Sequence, residues 1–172
     1  MNDINIWNKY KKVQIIYSNN YKNIYKVKNK ETGDYVCIKE ISKLKYPINE
    51  KYLKQINEIK TLKSENLVQI IDIIDTKYNF YIVMELCFLN LEEYMKISKE
   101  GLLIEEIKDF LIKINNILKF LNENKIVFEN LKLSKIFISL KKLNEVSYKL
   151  SCLNYNEKLK NDNENNNSPK KK

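Results

Sequence analysis

Three cysteines, thirty-one lysines and no histidine or arginine set the chemistry open to this chain. Cys37, Cys87 and Cys152 lie far apart, with no CxxC spacing and no imidazole to complete a ligand set, so a zinc site is not expected. A scattered, odd number of thiols fits reduced side chains packed in strands or loops. The lysines raise a second possibility, because clustered ammonium groups neutralise nucleic-acid phosphates and the formal net charge is +9. Here the lysines are spread among Asp and Glu. The missing arginine also removes the side chain best shaped for bidentate phosphate and guanine contacts. A solvated basic surface is therefore the expectation, with no nucleic-acid partner.

A chain of 172 residues has room for one domain or two small lobes, and 44% hydrophobic with 31% charged residues is ordinary for a globular protein. No apolar run approaches the roughly 20 residues of a membrane span, so no membrane association is expected. The N-terminal MNDINIWNKYKK lacks the apolar core and cleavage site of a secretory signal, which points to a cytoplasmic protein.

Residues 10–41 contain short runs rich in Ile, Val and Tyr, separated by SNN and KETGD. The ETGD between YKVKN and YVCIKEI predicts a hairpin in which Gly33 takes positive φ. Over 49–63 the period changes: Leu53, Ile56, Ile59 and Leu62 repeat at helical spacing, giving an amphipathic helix. LVQIIDIID and FYIVMEL, joined by TKYN, read as buried strands, and LEEYMKI as a short helix. Ile104, Ile107, Phe110, Leu111, Ile114, Ile117, Leu118 and Leu121 predict the longest helix, ending near Asn122 to Asn124. Two short strands, IFISL and SYKLS, flank KKLNE. The final NDNENNNSPKKK has almost nothing apolar to offset the entropy of ordering and is expected to be disordered. The fold class that follows is α+β with two lobes.

From about Tyr10 to Tyr155 these segments, in order, resemble the eukaryotic protein kinase domain of the serine/threonine kinase-like type. YVCIK looks like the family's VAIK strand, with Lys39 at the phosphate-binding lysine and Cys37 at the alanine. INEIKTLK resembles the αC helix, with Glu58 where a carboxylate pairs with that lysine. The interval from Glu58 to NLV is shorter than the family's. ENLVQIIDIIDTKYNFYIVMELC resembles the next two strands and the hinge, which implies Met84 as gatekeeper and the backbones of Glu85 and Cys87 facing adenine. With Ile16, Ile24 and Phe137 these residues complete the nucleotide-binding set that the resemblance implies, with ATP as ligand. At the glycine-rich loop, Tyr17, Asn19 and Lys22 stand where the family has glycines, so a close phosphate cradle is not expected.

ENKIVFENLKLSKIFISL resembles the catalytic loop, HRDLKxxN in the family. Phe128 stands for the His, Glu129 for the Arg, Asn130 for the catalytic Asp and Lys135 for the metal-binding Asn, while Leu131 and Lys132 are retained. A neutral amide cannot accept the substrate hydroxyl proton, and a positioned base is worth roughly 10² to 10⁴ in rate. SYKLSCLNYN aligns with the strand before DFG, placing Cys152, Leu153 and Asn154 at those positions. A thiol is a poor ligand for Mg²⁺, so no metal is expected, and the Lys135 ammonium would sit where a cation normally sits. The resemblance stops there, which implies a kinase-like fold truncated after the DFG equivalent and a long helix with part of its apolar face uncovered.

The expected organisation is a small lobe and hinge over 10–87, a partial large lobe over 88–155 and a tail over 156–172. The function it implies is a catalytically inactive pseudokinase serving as a binding or regulatory module for a protein partner. The alternatives are a serine/threonine kinase with residual ATP-dependent phosphotransfer, or a non-functional gene fragment.

Overall fold

The structure, a computed structural model, describes residues 5–98, 101–126, 128, 130–140 and 146–153. Five antiparallel strands form the first sheet: β1 (Tyr10–Ser18), β2 (Lys22–Asn29), β3 (Tyr35–Ser42), β4 (Ile70–Asp75) and β5 (Asn79–Glu85). Their order across the sheet is β1-β2-β3-β5-β4. The ETGD turn closes as the sequence predicts. Gly33 sits at φ +80° and its N–H donates to the Asn29 carbonyl at 2.9 Å, a conformation that a Cβ would strain.

Helix α1 (Glu50–Thr61) begins at Asn49, whose side chain accepts the Tyr52 N–H at 2.8 Å. It buries Tyr52, Ile56 and Ile59, the stripe that its period requires. A two-residue strand, β6 (Leu89–Asn90), which the sequence reading did not anticipate, leads into α2 (Leu91–Ile97) through an Asn90–Glu93 capping box. The long helix α3 spans Ile104–Glu123, and a 3₁₀ turn at Leu133–Lys135 precedes β7 (Ile136–Leu140). Strand β8 (Val146–Leu150) pairs with β7, and β6, β7 and β8 make a second sheet. KKLNE and the expected tail lie outside the described residues.

Alternation along the strands gives the five-stranded sheet two buried faces. On one, Ile41, Phe80 and Ile82 join Ile56 and Ile59 of α1, and the same apolar core runs on through Leu150 and Ile136 to Ile114, Ile117 and Leu121 of α3. On the other, Tyr25, Val27, Val36, Ile38, Tyr81 and Val83 pack under Ile6 and Trp7, which come from a 3₁₀ turn at Ile6–Asn8. The N-terminal half of α3 keeps part of its apolar face in solvent, with Ile104, Ile107 and Leu111 exposed. Among the described residues no helix is long and apolar enough to cross a membrane.

The two sheets meet at Leu150. The segment expected to open β4 at Leu67 instead runs beside β8: Leu150 N–H donates to the Asn66 carbonyl at 2.8 Å, and Val68 N–H donates to the Leu150 carbonyl at 3.0 Å. Buried backbone groups must find partners, and β8 supplies them where β5 no longer does. The Leu150 side chain is fully buried. Leu150→Ala should therefore lower the unfolding free energy by about 2–5 kcal/mol in urea denaturation; a loss under about 1 kcal/mol would show that the junction does not hold the sheets together.

Candidate functional site

The alternation of β3 divides its side chains between the two faces. Cys37, Lys39 and Ile41 point to the α1 side, and Val36 and Ile38 to the other. Lys39 is 7% exposed, with Ile24 of β2 and Ile82 of β5 as its register partners, and Cys37 lies opposite Met84. Ile24, Cys37, Met84, Cys87 and Phe137 all join one apolar core, together with Cys152 and Leu153. The structure thus brings together the predicted apolar lining from four separate strands and the segments that follow them.

Two predicted members stand apart. Ile16 is 48% exposed and outside that core. It sits where the β1–β2 register shifts between Ile15 and Tyr17, and such a bulge rotates the following side chains. Glu58 lies off the Tyr52, Ile56, Ile59 stripe of α1 and is exposed.

The turn between β1 and β2, where Tyr17, Asn19 and Lys22 stand at the family's glycine positions, is closed on itself. The Asn19 carboxamide oxygen accepts the N–H groups of Tyr21 and Lys22 at 3.1 and 2.8 Å. The Lys22 ammonium lies 4.8 Å from the centre of the Tyr17 ring. Backbone donors that a phosphate would need are therefore already satisfied by the turn's own side chain.

Strand pairing sets the lower part of the site. Ile136 pairs with Leu150, and Ser151 N–H donates to the Lys135 carbonyl at 2.9 Å, which sets Lys135 opposite Ser151, the chain neighbour of Cys152. The Lys135 ammonium lies 5.7 Å from the Phe128 ring centre. Burial pushes the Cys152 thiol up to about 12, against the opposing field of Lys135. Asn130 and Lys132 are exposed, and Lys132 offers its carbonyl to the Lys135 N–H at 2.9 Å. An ammonium and a protonated thiol offer no hard oxygen to a divalent cation, so the residues at 135 and 152 do not fit Mg²⁺. Glu129 and Asn154 lie outside the described residues.

One contact at the site had no sequence signal. The Glu85 carboxylate, expected to matter only through its backbone, accepts the Lys149 ammonium at 2.7 and 2.8 Å and the Gln69 N–H at 2.8 Å. The Lys149 side chain is 18% exposed and that of Glu85 29%, so solvent screens the pair only in part. It joins the end of β5 to β8, two residues past whose end Cys152 lies, across 64 residues of sequence.

The protein kinase domain profile matches residues 10–169 of the chain. The chain is 28% identical over 133 residues to Cyclin-dependent kinase-like 1 of Caenorhabditis elegans, covering 76% of this chain and 38% of that protein. It is 25% identical over 137 residues to Cyclin-dependent kinase-like 5 of Mus musculus, covering 78% of this chain and 15% of the relative. The Homo sapiens Cyclin-dependent kinase-like 5 matches at the same identity, with 14% of its length covered. The chain thus spans well under half of each of these curated relatives.

Burial also raises the other two thiols, Cys37 and Cys87, to about 12, with Glu85 adding to the effect at Cys87. In the unfolded chain all three ionise near the ordinary 9.0. The stability gained by keeping them protonated is complete below that value and is lost as pH rises toward 12. The urea midpoint should stay level below about pH 9 and fall steadily above it; a midpoint that stays level to about pH 11 would contradict the buried-thiol geometry.

Proposed function

Because the chain belongs to the protein kinase domain family, we propose that it is a catalytically inactive member, a pseudokinase that works as a binding or regulatory module for a protein partner in the cytoplasm. The observation that carries this reading is the presence of an ammonium, Lys135, whose carbonyl takes the Ser151 N–H, and of a buried thiol, Cys152, in the field of that ammonium, at the two positions where the resemblance puts the family's metal ligands. Phosphoryl transfer depends on divalent metal to neutralise charge between the β and γ phosphates and on a carboxylate to take the hydroxyl proton. Asn130 is an amide and cannot serve as that base.

What survives supports nucleotide binding without transfer. The ATP base would lie against Ile24, Cys37, Met84, Cys87 and Phe137, which share one apolar core, with the buried Lys39 on the same face of β3 as Cys37. The Lys135 ammonium supplies positive charge where a metal would otherwise act, so a phosphate can be held there directly. The self-closed turn at Asn19 limits that binding to modest strength, since its N–H groups are already taken. Residues 10–87 act as the small lobe and hinge, and 88–155 as a partial large lobe. The exposed Ile104, Ile107 and Leu111 of α3 offer the partner an apolar face.

Two assays test the reading. ATP should raise the melting temperature equally in EDTA and in Mg²⁺, and Lys135→Ala should weaken ATP binding roughly tenfold, the usual worth of one charge-assisted phosphate contact. Labelled ATP should yield no phosphoprotein with generic acceptors at high protein concentration. Transfer that needs Mg²⁺ and disappears in Lys39→Met would establish a serine/threonine kinase instead. Identical behaviour of Lys135→Ala and the parent chain would remove the proposed role of the ammonium.

A further inference from the structure

The face of the sheet turned away from the nucleotide residues carries an aromatic corner that the kinase resemblance does not account for. Trp7 stands at 84° to Tyr25, with ring centres 5.4 Å apart, and at 89° to Tyr81, at 6.2 Å. The Lys12 ammonium sits in the angle between the first two, 4.0 Å from the Trp7 ring centre and 4.2 Å from that of Tyr25. Both distances are well inside the roughly 6 Å reach of a cation–π contact. Among the described residues no ion pair includes Lys12.

The rings are held in place before any cation arrives. Tyr25 and Tyr81 are buried. The Tyr25 hydroxyl donates to Glu40 Oε2 at 2.9 Å, with Asn23 donating to the same oxygen at 3.1 Å, and the Tyr81 hydroxyl accepts from Asn79 at 3.1 Å. Donation to a carboxylate enriches the Tyr25 ring in electron density and strengthens its negative face. Lys12 itself is exposed, on the edge strand β1 and at the start of a register shift between Lys12 and Gln14, so its side chain can leave the corner without disturbing a strand ladder.

We propose that the Trp7–Tyr25–Tyr81 corner is a binding site for a methylated lysine side chain of a partner protein, with Lys12 as its intramolecular stand-in. Two features select this ligand. The stand-in is a lysine on an extended strand, the same presentation that a peptide lysine would bring. A primary ammonium must also give up N–H···water bonds to enter an aromatic corner, whereas a trimethylammonium has none to lose and keeps its full charge against the rings.

The test uses the full chain and a labelled extended peptide with one trimethyllysine, read by fluorescence polarisation and by the emission of Trp7, the single tryptophan. Lys12→Ala should bind this peptide saturably and about tenfold more tightly than the same peptide with unmodified lysine. The parent chain should bind about tenfold more weakly than Lys12→Ala, because its own lysine competes. Trp7→Leu in the Lys12→Ala background should abolish the polarisation signal while circular dichroism stays unchanged. Lys12→Gln serves the same purpose if Lys12→Ala fails to fold. The proposal is overturned if neither chain saturates, if methylated and unmodified peptides bind alike, if Trp7→Leu changes nothing, or if phosphatidylcholine vesicles bind in place of the peptide.

Discussion

Leu150 is the point on which the geometry of the whole molecule turns. Its backbone bonds on one side to Asn66 and Val68, on the approach to β4, while its strand pairs on the other side with β7. Its side chain fills the core between them. The neighbouring residues depend on the same register. Lys149 reaches the hinge carboxylate of Glu85, Ser151 bonds Lys135, and Cys152 is brought beside that lysine. A shift of β8 by one residue would reverse which side chains face the core and leave buried backbone groups without partners. Glu85, Lys135, Cys152 and the five-stranded sheet are therefore placed by one ladder.

In the proposed pseudokinase, the site keeps its supports and exchanges its reactive groups. Ile24, Cys37, Met84 and Phe137 come together in one core from paired strands, and Lys39 is buried on the same face of β3 as Cys37. At the positions where the resemblance puts phosphate and metal contacts stand residues that satisfy themselves or carry other chemistry. Asn19 caps its own turn, Lys135 carries an ammonium, and Cys152 holds a proton far above neutral pH. These substitutions agree with one another, which is why they support loss of the reaction more strongly than any one of them alone. The aromatic corner around Lys12 lies on the opposite face of the sheet, so a binding role there does not depend on the state of the cleft.

Much of this was legible in the letters. The 3.6 period marked α1 and α3, ETGD marked the β2–β3 turn, and the ordered motifs from YVCIK to SYKLSC marked the family and with it the replaced residues. What escaped had a physical reason in each case. Ile16 was expected among the nucleotide contacts, but bulges interrupt the alternation of β1 and carry no residue signature. Glu58 stands at the motif position, yet the stripe that α1 buries turns it toward solvent. The Glu85–Lys149 pair joins residues with no local relation, and Ile6 with Trp7 is too short a segment for periodicity to announce a second core. The expectations for Glu129, Asn154 and the tail lie outside the described residues.

The claim that scaffold and reaction have parted is tested most directly by calorimetric titration of ATP, with and without Mg²⁺, into the parent chain and into the Lys135→Asn, Cys152→Asp double variant. If the scaffold is intact and only the ligands are missing, the parent should bind ATP with the same affinity in both buffers. The double variant, given two oxygen donors at positions flanking the paired ends of β7 and β8, should bind at least about tenfold more tightly with Mg²⁺ than without. Mg²⁺-dependent binding by the parent chain, or a double variant that folds and remains indifferent to the metal, would contradict it.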